Sequence, residues 1–143
     1  MKNIQTEIII NASAAKVWSV LTDFKSFSEW NPFIAKIEGA PSAGARLRVE
    51  LKNGNSTSVF KPEVLVAETQ KRFEWKGSLP IPGLFVGQHY FVIEEISAAQ
   101  VKFIHGEQFS GLLAGLIMKQ IGEQTMQGFI AMNKALKLRA EQA

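Results

Sequence analysis

Two histidines and a glutamate are the residues of this chain best suited to chemistry, and their spacing places them together. His105 and Glu107 are two apart in Val101-Lys-Phe-Ile-His-Gly-Glu-Gln-Phe109. With a strand's period of two, Val101, Phe103, His105, Glu107 and Phe109 share one face. A face with a valine and two phenylalanines turns inward and takes the imidazole and the carboxylate with it. Burying such groups is costly unless they are partnered. In the run 86–96, His89, Phe91 and Ile93 share a face opposite Gln88, Tyr90 and Val92. In 71–77, Phe73 and Trp75 face one way while Arg72, Glu74 and Lys76 face the other.

The link between 86–96 and 100–109 is short, so the two runs should pair as a hairpin. If Ile96 pairs with Gln100, Phe91 lies opposite His105 and His89 opposite Glu107. Directly opposed side chains have Cβ atoms about 5 Å apart, which makes a His89–Glu107 hydrogen bond natural. A register shifted by two would instead set Phe91 against Glu107. Four kinds of chemistry fit such a cluster. It is a satisfied polar group within an apolar core, or the polar floor of a ligand pocket. It is an acid–base pair able to move a proton near neutral pH, although no nucleophile or oxyanion donor accompanies it. Or it is a two-His, one-Glu zinc site, although the spacing matches no metal motif.

The elements that must position these residues follow from the rest of the chain. Residues 3–11 are rich in β-branched types and read as a first strand. Asn11 or Ser13 can cap a helix whose apolar side is Val17, Leu21 and Phe24, with Ala14 and Trp18 beside it. Asp23 ends that helix or bonds the backbone of the next turn. A second short helix spans Phe24 to Glu29 and must end by Asn31, because Pro32 disfavours helical geometry before it. Strand-like runs follow at 33–39, 45–53, 57–69, 71–77, 86–96 and 100–109. Turn residues divide them at Gly39-Ala-Pro41, Asn53-Gly54-Asn55 and Leu79-Pro-Ile-Pro-Gly83. Pro62 within 57–69 marks an edge, a bulge or a split.

From about Leu112 the period changes to helical. Leu113, Ile117, Ile121, Gln124/Thr125, Gly128, Met132 and Leu136 form a stripe, with Lys119, Glu123, Gln127, Lys134 and Lys137 largely off it. The helix should run for about 25 residues, well beyond the usual length. Gly115, Gly122 and Gly128 each cost it roughly 1 kcal/mol relative to alanine. They permit close packing on the sheet or loosen the helix beside a cavity. The order β-α-α-β-β-β-β-β-β-α is that of an α+β domain whose single antiparallel sheet is covered by the long helix. A seven-stranded sheet curls, and one helix does not fill the whole concavity.

Composition narrows the function classes. The 143 residues fit one domain, 1–143, with 46% hydrophobic and 20% charged residues. The net charge of +3 is mild and dispersed, without the basic patch of a nucleic-acid binder. Arg46, Arg48 and Lys52 alternate with Leu47, Val49 and Leu51, as on the solvated face of a strand. The chain has no cysteine, which excludes disulfides, thiolate metal sites and cysteine nucleophiles. Met1-Lys-Asn-Ile-Gln5 lacks the apolar run of a signal peptide, and no apolar stretch approaches the ~20 residues of a membrane span. A cytoplasmic protein without cofactor is the expectation.

The opening Ile8-Ile-Ile-Asn-Ala-Ser-Ala-Ala-Lys-Val-Trp18, with Leu21-Thr-Asp23 and Trp30-Asn-Pro-Phe33, resembles the SRPBCC superfamily and, more narrowly, its polyketide cyclase/dehydrase-like group. Phe73-Glu-Trp-Lys-Gly77, Pro82-Gly-Leu-Phe85, His89-Tyr-Phe91, His105-Gly-Glu-Gln-Phe-Ser-Gly111 and the terminal helix extend the resemblance over essentially the whole chain, which looks closest to small bacterial members. The resemblance implies the helix-grip fold of the major birch-pollen allergen and START lipid-transfer domains. In that fold a long C-terminal helix closes an apolar cavity against a curved seven-stranded antiparallel sheet, with two short helices after strand 1. The superfamily spans lipid carriers, hormone binders, aromatase/cyclases and chaperone cofactors, so fold does not choose among them.

The expected function is therefore binding of a small hydrophobic or amphipathic ligand, lipid or polyketide-like, between sheet and C-terminal helix. Trp75, Phe91, Phe103, Leu113, Ile117 and Ile121 would supply the apolar wall, Trp30 would join the lining, and His89, His105 and Glu107 would supply polar contacts. Large inward aromatics also serve simply as core, and Met118, Met126 and Met132 as adaptable packing. The alternative is a cyclase or dehydratase with His89 or His105 as base and Glu107 orienting it. A third reading is an interaction module acting through a strand edge or the apolar loop Leu79–Phe85, which would gate a cavity mouth or tuck onto the sheet. A monomer and a homodimer are equally compatible with the sequence.

Overall fold

The computed structural model describes residues 2–53, 55–78 and 83–142. The element order is β1 (Lys2–Ile10), α1 (Ala14–Thr22), a 3-10 turn (Phe24–Ser26), α2 (Phe27–Trp30), β2 (Ile34–Glu38), β3 (Arg48–Asn53), β4 (Ser56–Phe60), β5 (Glu63–Glu68), β6 (Arg72–Ser78), β7 (Val86–Ser97), β8 (Gln100–Ser110) and α3 (Ala114–Glu141). It is an α+β helix-grip arrangement, with a long C-terminal helix on antiparallel sheet and short helices after the first strand.

One expectation needs correction. The sheet is not a single seven-stranded one but a five-stranded sheet, β1-β8-β7-β6-β5, and a three-stranded sheet, β2-β3-β4. The run 57–69 breaks at Lys61-Pro62 into β4 and β5, because proline has no N–H to give the ladder. One segment, Gly44–Leu47, stitches the sheets together across this break. Arg46 bridges to Glu63, and the N–H of Leu47 bonds the carbonyl of Pro62 at 2.9 Å. Both sheets thus face α3 and share one apolar interior.

The local signals act as their chemistry requires. Ser13 caps α1, its side chain accepting from the N–H of Lys16 at 3.1 Å. Asn31 turns the chain at Pro32, its Oδ1 accepting from the N–H groups of Phe33 (2.9 Å) and Ile34 (2.8 Å). The β3–β4 turn at Gly54 and the stretch 79–82 of the apolar loop lie outside the described residues.

The long helix has two unlike halves. From Phe129 onward its buried residues are Phe129, Met132, Asn133, Leu136 and Ala140, spaced i, i+3, i+4, i+7, i+11. Between Ala114 and Phe129 no residue is fully buried, and Ile121 is 42% exposed. Gly128 marks the boundary, lying so close to the Phe33 ring that a Cβ there would collide with it. The C-terminal half is clamped to the core, while the N-terminal half reaches it only through Ala114 and the partly buried Met118 and Met126. No helix among the described residues is long and apolar enough to cross a membrane.

Candidate functional site

Strands β7 and β8 carry the polar cluster, and their register puts His89 opposite Glu107 and Phe91 opposite His105, as the alternation requires. The hairpin closes one residue differently from expectation. Gln100 pairs with Ser97, and Ile96 falls at a bulge where it is 53% exposed. The bulge absorbs the difference, so the register at the site is unchanged.

The hydrogen bonds differ from the expected pair. His89 Nδ1 and Glu107 Oε1 are 3.5 Å apart, whereas His89 Nε2 and His105 Nε2 meet at 2.7 Å. His89 and His105 are diagonal across the ladder, a relation that long planar side chains span easily. His105 Nδ1 then lies 2.9 Å from Oδ1 of Asn133 on α3. Asn133 Nδ2 donates to Thr6 Oγ1 on β1 at 2.8 Å, and that hydroxyl donates to the carbonyl of His105 at 3.0 Å. Thr6 and Asn133 are members of the site that the sequence reading missed. Asn133 had a signal, a polar residue on the buried i, i+3, i+4 face of α3.

The partners fix the direction of this chain. Thr6 takes the Asn133 amide N–H, so Asn133 Oδ1 is the atom facing His105, and His105 Nδ1 must donate to it. His105 is fully enclosed, and burial, with His89 alongside, holds its imidazole well below the usual histidine value despite the Asn133 bond. It is therefore neutral, and its bare Nε2 accepts from His89 Nε2–H. That leaves His89 Nδ1 as the free end, turned toward Glu107. Rings frame the chain on all sides. His105 stacks on Phe129 with centroids 4.0 Å apart, and Trp75 stacks on His89 at 4.9 Å. Both His105 nitrogens are engaged by protein, so it has no lone pair to offer a metal.

A cavity of about 310 Å³ adjoins the free end of the chain. Trp75, His89, Glu107 and Phe109 form one wall, Ile117, Ile121 and Thr125 of α3 the roof, and Leu51, Ser58 and Phe60 of the small sheet the far wall. Phe33, Phe85, Gly77, Ser78, Gly87 and the mouth residue Lys61 complete the lining. The sequence expectation thus divides. Trp75, His89, Glu107, Ile117 and Ile121 line the cavity together. His105, Phe91 and Phe103 stand in the packed core, each 1% exposed or less. Trp30 packs edge-on against Phe27 at 5.1 Å, and Leu113 precedes α3 with its N–H on the Leu84 carbonyl at 2.8 Å. The far wall was invisible in sequence, because it depends on how the small sheet curls back.

Glu107 is the exposed member of the cluster, its side chain 19% accessible against 4% for His89. Gly87 makes room for it, since a Cβ at 87 would lie 2.6 Å from Glu107 Oε2. Among the described residues, His89 is its one ionic or hydrogen-bonding partner.

No curated protein matches the chain by sequence. Several solved structures share its fold. The Zhui aromatase/cyclase from Streptomyces sp. R1128 superposes with a TM-score of 0.79 at 14% identity, covering 98% of this chain and 93% of that one. A START superfamily protein from Mycobacterium smegmatis gives 0.71 at 18% identity, covering 97% of each. The di-domain aromatase/cyclase BexL of the BE-7585A biosynthetic pathway gives 0.77 at 12% identity, and this chain, 99% covered, spans 48% of it. These likenesses concern the fold, while residues 1–140 match a sequence family as a whole. The chain belongs to that family, described as polyketide cyclase/dehydrase and lipid transport.

Proposed function

We propose that this protein binds one small apolar or amphipathic molecule, lipid-like or polyketide-like, in the cavity beneath the first half of α3. The observation that carries the reading is the cavity itself, about 310 Å³ with largely apolar walls and a few polar residues, His89 and Glu107 on one wall, Thr125 in the roof and Ser58, Lys61 and Ser78 at the exposed rim. The looser packing of residues 115–127, none of them fully buried, agrees with it, because a helix lying partly over a cavity retains a half-exposed apolar face. An apolar occupant gains roughly 25 cal/mol for each Å² of apolar surface buried. Naphthalene, small enough for the space, is the first probe. It should bind saturably at one site and quench Trp75 emission. Ile121→Trp, which fills the roof, should abolish that binding while leaving the melting temperature within a few degrees. Absence of saturable binding to the unaltered protein would sink the reading.

A second reading, acid–base catalysis in the same cavity, is favoured by the His105–His89–Glu107 chain ending at its wall. There Glu107 or His89 removes a proton from a carbon flanked by carbonyls, leaving an enolate poised for ring closure. This agrees with the family description and with the aromatase/cyclase neighbours. Exchange of the central C–H of acetylacetone in D2O, followed by NMR, separates the readings. Catalysis requires exchange above the buffer rate that Glu107→Gln removes, and binding alone requires none.

A further inference from the structure

We infer that the cavity selects a cationic amphiphile, an amine whose ammonium group sits against Glu107. The inference rests on the binding proposed above and names the charge of the molecule bound. It starts from the lining, where Glu107 and Lys61 are, besides the histidine, the two described residues of charged type. Lys61 stands exposed at the rim, where water screens it. Glu107 lies within, its side chain 19% accessible and its Oε2 beside Gly87.

The protein serves that carboxylate poorly. Its one ion-pair neighbour among the described residues is His89, whose Nδ1 is 3.5 Å from Oε1 with no hydrogen bond between them. A ligand that fills the cavity takes solvent away from the carboxylate and must replace what solvent supplied. Trp75 and the Thr125 hydroxyl bring dipoles to the same space but no charge. An alcohol offers Glu107 a donor and leaves its charge unbalanced. An ammonium supplies both a positive charge and several N–H donors. Their attraction is stronger in a largely apolar enclosure than in water. The rest of the wall favours the same sign, because Phe33, Phe60, Phe85 and Phe109 contribute aromatic rings, whose faces attract cations. An anionic ligand meets the reverse on every count, with the one lysine out at the rim.

Four probes built on one ring system test this with the full chain at pH 8.0, where an ordinary imidazole is neutral. They are naphthalene, 2-(1-naphthyl)ethylamine, 2-(1-naphthyl)ethanol and 1-naphthylacetate, titrated by calorimetry. The amine should bind about tenfold tighter than the alcohol, and the acetate about tenfold weaker than the alcohol. Glu107→Gln keeps the size of the side chain and removes its charge. In that variant the advantage of the amine should fall below about twofold, with naphthalene affinity within about twofold of the unaltered protein. The comparison of amine with alcohol needs no variant, so the test survives a Glu107→Gln protein that folds badly. An amine that binds no tighter than the alcohol, while naphthalene binds well, would overturn the inference and leave the cavity reading intact. So would an amine advantage that persists in Glu107→Gln. Failure of naphthalene and all three derivatives to bind would remove the proposed binding function, and this inference with it.

Discussion

At the residue scale, His105 is a neutral imidazole held between His89, Asn133 and the Phe129 ring, and the cost of charging it is a stability term. Below pH 6.5, the ordinary histidine value, the unfolded chain takes a proton that the folded chain refuses. Its contribution is therefore fully present above pH 6.5 and declines as pH falls toward the depressed folded value. Within that window the loss is about 1.4 kcal/mol per pH unit. Urea unfolding at pH 7.5 and 5.0 should show the wild type losing more stability on acidification than His105→Gln, the difference being His105's share. Equal acid sensitivity of the two proteins would contradict the neutral assignment. The alternation of β8 made His105 and Glu107 legible as inward residues. It could not show that His105 is spoken for by Asn133, some 28 residues later. Strand periodicity reports which face a residue takes, and partners from another element are beyond its reach.

At the scale of elements, α3 carries three glycines that differ in consequence. Gly122 is helical with room around it, a Cβ meeting only the Met118 side chain at 3.9 Å. Gly122→Ala should stabilise by roughly 0.5–1 kcal/mol through backbone entropy and helix propensity. Gly128→Ala should destabilise by roughly 1–3 kcal/mol, because Phe33, itself held against Phe129 at 5.5 Å, must give way. Thermal melts of the two variants moving in opposite directions would confirm that close approach ends at Gly128. Of the two roles the sequence allows these glycines, close packing is seen at Gly128, against the Phe33 ring rather than the sheet, while Gly115 and Gly122 have open space around them. The sheet division was legible only in part, since Pro62 announced a break without revealing that Arg46 and Leu47 bridge it.

At the scale of the whole molecule, the order of strands and helices followed from periodicity and turn residues, and so did the long covering helix. The cavity's far wall did not, because Leu51 and Phe60 become neighbours of Trp75 only once the small sheet has folded over the larger one. The helix divided at Gly128 has a further consequence for the protein in a cell. Its second half is held by its own buried residues, whereas its first half, Ala114 to Gln127, touches the core only through Ala114, Met118 and Met126 and otherwise lies over the cavity. Segments of low local stability are where proteases gain entry. On the binding proposed above, an empty molecule would expose a cleavable stretch that an occupied one protects. Its lifetime would then rise and fall with the supply of its ligand, and abundance alone would report on that supply without any dedicated sensor.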